Sequence, residues 1–139
     1  MGLDMYLTGD RYKCNEYDDD YNEINVQYVD GFKLKSQRIE LGYWRKHANL
    51  HGYIVNTFAD GVDECQVIHL NVDNLRQIAK ALRDNDLPHT EGFFFGSDDW
   101  REECRKYYED DAKVFDKAAD WVESAPDGVW NTVQYCASW

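Results

Sequence analysis

The segment VDNLRQIAKALRDNDL, residues 72–87, constrains the fold more than any other stretch of the chain. Leu75, Ile78, Ala79 and Leu82 recur at three- and four-residue intervals and form one apolar stripe of a helix, with polar residues around the rest of it. Asn71 or Asp73 can cap its first turn. Such a stripe has to be buried on a sheet or on other helices. The complementary signal lies at LDMYLT, where Leu3, Met5 and Leu7 alternate with Asp4, Tyr6 and Thr8. That period of two predicts a half-buried strand.

The remaining segments extend this mixture. NEYDDDYNE, residues 15–23, is too densely acidic to pack and reads as a solvated loop; it lacks the glycine of a calcium-binding hand. INVQYVDGFKLKSQ predicts a hairpin, with Asp30-Gly31 supplying the two positive-φ positions of its turn. RIELGYW continues as strand to Gly42, and the pattern then turns helical from Trp44 to about Phe58. Gly52 sits inside that helix, where it costs about 1 kcal/mol against Ala unless a close backbone approach requires it, and Gly61 ends it. CQVIHLN is a short strand. A further helix runs from Ser97 as N-cap to about Ser124, with Cys104, Tyr107, Val114, Ala118 and Trp121 inward. After a turn at Pro126–Gly128, VWNTVQYCASW closes as a strand. The order predicts one α+β domain over 1–139: a mostly antiparallel sheet with about three helices on one face.

The 139 residues carry a formal net charge of -12, which repels polyphosphate backbones and disfavours generic DNA or RNA binding. Cys14, Cys65, Cys104 and Cys136 match no zinc spacing and are expected as reduced thiols. No signal sequence or membrane span is read from the chain, so the expected setting is the cytoplasm. The aromatic content of 15% is compatible with a homo-oligomer.

Against this acidity, GYWRKHANLHG (42–52) gathers two cations and two imidazoles in eleven residues. Read as the first turn of a helix, it offers unpaired N–H groups together with Arg45 and Lys46 to a phosphate. The same residues also suit surface cations. His47 and His51 share a helix face at i, i+4, a metal-ligand spacing if His89 supplies a third position. The imidazoles equally suit phosphate contact, acid–base work or internal hydrogen bonds. LPHTEGFFFGS (87–97) adds His89 and Thr90 and an aromatic run in which Phe94 faces opposite to Phe93 and Phe95. The terminal Trp139 either packs on the core or shapes a pocket.

Together MGLDMY, YWRKHANLHG, LPHTEGFFFG and the terminal SW resemble a family of small bacterial and phage proteins, over most of the chain. Ala48 stands where the family pattern is similar but has proline. Some members carry a phosphoglycerate-kinase label, which does not suit a chain far too short for that two-lobed fold and without a phosphate loop. The resemblance implies a shared pocket built from the two middle motifs, with Tyr43, Trp44, Arg45, Lys46, Asn49, Thr90 and Phe94 as ligand contacts. Such a set suits a nucleotide-like small molecule, its base stacked and its phosphate held by cations.

Three functional classes follow. The first is a binder of a small anionic ligand, a nucleotide or cyclic-nucleotide signal, such as a phage sponge against host defence. The second is a phosphodiesterase or related hydrolase using His47, His51 and His89, alone or with a divalent metal. The third is an acidic interaction module or nucleic-acid mimic.

Overall fold

The computed structural model describes residues 2–90 and 107–139. Its principal sheet has four strands: β1 (Asp4–Lys13), β6 (Ser36–Arg45), β7 (Ile68–Leu70) and β8 (Val129–Ser138). Their order is β6-β1-β8-β7, and every neighbouring pair is antiparallel. Between β1 and β6 lie two small hairpins, β2 (Glu16–Tyr17) with β3 (Glu23–Ile24) and β4 (Tyr28–Val29) with β5 (Phe32–Lys33). The helices among the described residues are α1 (Ala48–Phe58), α2 (Val72–Arg83) and α3 (Tyr108–Glu123). The α+β architecture is thus as the periodicities predict.

Alternation along the strands builds the core. Leu3, Met5 and Leu7 pack with Ile68 and Leu70 of β7 and Val133, Tyr135 and Ala137 of β8. Leu50 and Ile54 of α1, Leu75, Ile78 and Leu82 of α2, and Phe115 of α3 complete that core. Each such buried Leu, Ile, Val, Met or Phe side chain contributes about 1.5–3 kcal/mol of transfer free energy. The opposite face of the sheet carries Tyr6, Tyr12, Tyr43 and Trp130, all exposed. Asn71 caps α2 through Asn74 N–H (2.8 Å), and the Asn74 side chain returns the bond to Asn71 N–H (3.0 Å). Arg76 then binds Asp116, Asp120 and Glu123, and Arg83 binds Glu109 and Asp116, so charges on α2 lock onto α3.

Three expectations are corrected. The acidic segment is not all loop: Glu16–Tyr17 pairs with Glu23–Ile24, while Asn15 and the exposed turn between the two strands stay outside them. The first helix begins at Ala48, four residues after Trp44, because Met5 of β1 offers Trp44 a strand partner. Its indole then stacks on Phe115, with ring centroids 5.2 Å apart and planes 5° from parallel. Lys46, at φ 58, breaks the strand before the helix. In α3 the buried stripe runs through Tyr108, Ala112, Phe115, Ala118 and Ala119, while Tyr107 is exposed. The predicted N-cap Ser97 and Cys104 lie outside the described residues.

The Asp30-Gly31 turn is as expected, with φ of 50° and 81°. Among the described residues no helix is long and apolar enough to cross a membrane.

Candidate functional site

The motif around α1 is divided by the strand-to-helix transition. Tyr43 points to the open face of the sheet, where its ring meets Tyr6 at 5.4 Å and its hydroxyl donates to Asp4 Oδ1. Trp44 points the other way, into the helical layer. Arg45 is exposed and lies 4.0 Å from Asp4, and Lys46 is exposed in the bend. Their position before the helix means that they do not sit in its first turn.

His47 and His51 fall on two similar clusters. Asp111, in the first turn of α3, accepts from Trp44 Nε1 at 2.9 Å and from His47 Nε2 at 3.1 Å. The His47 ring stacks on Tyr108 at 5.3 Å. Asp63, in the loop after α1, accepts from His51 Nε2 at 2.8 Å and from Trp139 Nε1 at 3.1 Å. A carboxylate only accepts, so His51 Nε2 donates to Asp63, and the other ring nitrogen, Nδ1, lies 2.6 Å from the Tyr135 hydroxyl. Each carboxylate therefore joins one imidazole to one indole. Burial, then the nearby Asp63 charge, raises the Tyr135 pKa well above its ordinary value and keeps this hydroxyl neutral. Trp139 is partly buried and packs against the core.

The second motif does reach the first. Thr90 N–H donates to Asn49 Oδ1 at 2.9 Å, and the Thr90 side chain lies over Gly52. A Cβ on Gly52 would stand 2.0 Å from Thr90 Oγ1, so glycine is required there for close approach, at the cost in helix propensity anticipated above. His89 is exposed, and Phe94 lies outside the described residues. His47, His51 and His89 do not form the suggested metal triad: among the described residues no three His, Cys, Asp or Glu side chains gather as a metal-holding group. His51 is only 2% exposed, so a substrate cannot meet its ring without local opening.

A different region has the shape of a binding site. Beyond Gly9 the core-facing row of β1 continues with Arg11 and Lys13, past the end of the apolar core. There the two small hairpins and the turn at Pro126–Asp127 enclose a cleft of about 430 Å³. Arg11, Lys13 and Lys35 line it together with Glu16 and Asp127. Three cations against two carboxylates is a local reversal of the overall charge of -12. Lys13 Nζ donates to Asn25 O at 2.5 Å and Lys35 Nζ to Asn15 Oδ1, while Arg11 has no carboxylate partner among the described residues. Asn25, Gln27, Ser36 and Gln37 add neutral donors and acceptors.

Sequence reasoning missed this cleft and also Asp63, Asp111 and Tyr135. For Arg11 and Lys13 a signal existed, because the alternation of LDMYLT extended through GDRYK puts both on the core-facing register. For the two carboxylates no local signal distinguishes them among 27 acidic residues.

Comparison with known protein families, with curated proteins and with solved structures returned no match.

Proposed function

We propose that this chain binds a small anionic ligand and that the cleft at the end of β1 receives it. The observation that carries this reading is the placement of Arg11 and Lys13 on core-facing positions around a 430 Å³ cavity in a protein of net charge -12. Cations in such positions have left bulk water in part and gain from an anion that completes their hydrogen bonding. The volume falls in the range of small-molecule sites. Glu16 and Asp127 accept from hydroxyl groups, so the favoured ligand carries an anionic group and hydroxyls together. A nucleotide or cyclic nucleotide presents both in its sugar-phosphate moiety and is the first class to test. Sequestration of a nucleotide signal is the corresponding biological role.

Binding is favoured over turnover because the His51 ring is engaged on both sides by Tyr135 and Asp63 inside the core. The test is isothermal titration with inorganic phosphate, mononucleotides and cyclic dinucleotides, on the native chain and on Arg11→Gln, Lys13→Gln and Arg45→Gln. Loss of one charge-assisted contact, about 1.5–3 kcal/mol, predicts roughly 10- to 100-fold weaker binding for the first two variants. Absence of sub-millimolar affinity for every probe refutes the reading. A loss confined to Arg45→Gln moves the site to the α1 motif.

A further inference from the structure

Strand β6 forms an outer edge of the four-stranded sheet. Strand β6 pairs with β1 on one side, and among the described residues no strand covers its other side. Residues Ser36, Gln37, Arg38, Ile39 and Glu40 are all exposed. An edge of this kind presents a row of backbone donors and acceptors, which proteins normally guard with lysine, proline or a bulge. Here SQRIELGYWR contains neither lysine nor proline. Its one irregularity is at Leu41, the extra residue between the Leu7–Gly42 and Thr8–Glu40 pairs. The bulge leaves Ser36–Glu40 as a regular five-residue edge.

We propose that this edge is a homodimer interface in which β6 of two copies pair antiparallel about a two-fold axis at Ile39, joining two four-stranded sheets into one. Side chains select both the partner and the register. In an antiparallel pair related by a two-fold axis perpendicular to the sheet, directly opposed residues must share a face, so the axis passes through a residue opposed to itself. An axis at Arg38 sets two guanidiniums against each other, and an axis at Glu40 sets two carboxylates against each other; both are unfavourable. An axis at Ile39 instead places Arg38 of each copy opposite Glu40 of the other, twice. Those residues lie on the open face of the sheet, where Arg38 already binds Asp10 at 3.1 Å. Glu40 has no cation partner among the described residues, and the second copy supplies one. At the centre, Ile39 is 37% exposed as a monomer and meets its own counterpart in the dimer. The pairing does not depend on the cleft having a ligand.

The experiment is sedimentation velocity on the whole chain across micromolar concentrations, with circular dichroism to verify folding of each variant. The native chain is expected to sediment as a dimer. Arg38→Glu alone opposes carboxylates and Glu40→Arg alone opposes guanidiniums, so each is expected to be monomeric with at least 10-fold weaker self-association. An equimolar mixture of the two single variants restores both opposite-charge pairs and is expected to form a heterodimer, which loss of the Arg38–Asp10 bond by itself does not predict. Ile39→Pro, which blocks edge pairing at the axis, is expected to stay monomeric. A native chain that is monomeric at the highest concentration, a dimer that survives Ile39→Pro, or a mixture that stays monomeric overturns the proposal.

Discussion

Replacing Tyr135 by Phe removes one oxygen from the centre of the fold and leaves the ring in place. Tyr135 is 1% exposed and His51 is 2% exposed, so water does not replace the lost hydroxyl without opening the core. The bond deleted is the 2.6 Å contact from Tyr135 to His51 Nδ1. Loss of one member of a buried polar pair costs about 1–3 kcal/mol, against a few tenths for the same change at a surface site. For a chain of this size that corresponds to a fall in Tm of roughly 3–12 °C.

Urea unfolding followed by tryptophan fluorescence measures the change, with Tyr12→Phe on the exposed face as control. The slope of the transition should be unchanged, since the buried area hardly differs. A pH arm separates the network from simple packing. Tyr135 has a pKa raised in the folded state by burial, first, and by the Asp63 charge. A raised folded pKa gives stability that is complete below the unfolded value of about 10 and is lost as pH rises beyond it. Tyr135→Phe should therefore be less sensitive than the native chain to alkaline unfolding. A cost below about 0.5 kcal/mol, with an unaltered alkaline limb, refutes the role assigned to this network. A variant that is destabilised yet retains its affinity for the anion supports the separation of network from cleft.

Gly52→Ala drives a Cβ to 2.0 Å from Thr90 Oγ1 and 2.8 Å from Thr90 Cβ, and should destabilise by about 1–3 kcal/mol in spite of alanine's better helix propensity. Thr90→Gly in the same chain should recover most of that loss, and additive costs in denaturant unfolding would disprove the contact. At acid pH the α2–α3 contact should lose its contribution only below about pH 4. Burial raises the Asp116 pKa, but hydrogen bonds from Arg83 and Arg76 outweigh it and leave the net value below the ordinary 3.8. A depressed folded pKa gives stability that is present above the unfolded value and lost as pH falls through the folded one. Asp116→Asn should accordingly flatten the dependence of Tm on pH below about pH 4, and an unchanged acid limb contradicts the pairing.

Local patterns reported much of the architecture. Leu75, Ile78, Ala79 and Leu82 are buried along α2, and Asn71 caps it, because helix stripe and cap are both properties of a dozen consecutive residues. The Asp30-Gly31 hairpin and the alternation of β1 are local in the same sense. The motif at 42–52 shows where this ends. Whether Trp44 opens a helix or closes a strand depends on Met5 opposite it and Phe115 beneath it, 39 and 71 positions away along the chain. That choice sends Tyr43 and Trp44 to opposite faces and removes Arg45 and Lys46 from the helix start.

The sequence by itself determined the α+β class, the helical stripe of α2, the turns and a net charge of -12, because each is fixed by composition or by neighbours within a few residues. Only the tertiary structure decided which two carboxylates serve His47 and His51, that Thr90 rests on Gly52, and that Arg11, Lys13 and Lys35 surround one cleft. Those contacts join residues far apart in the chain, and their energies exist only after the sheet has set its register and the helices have closed over one face of it.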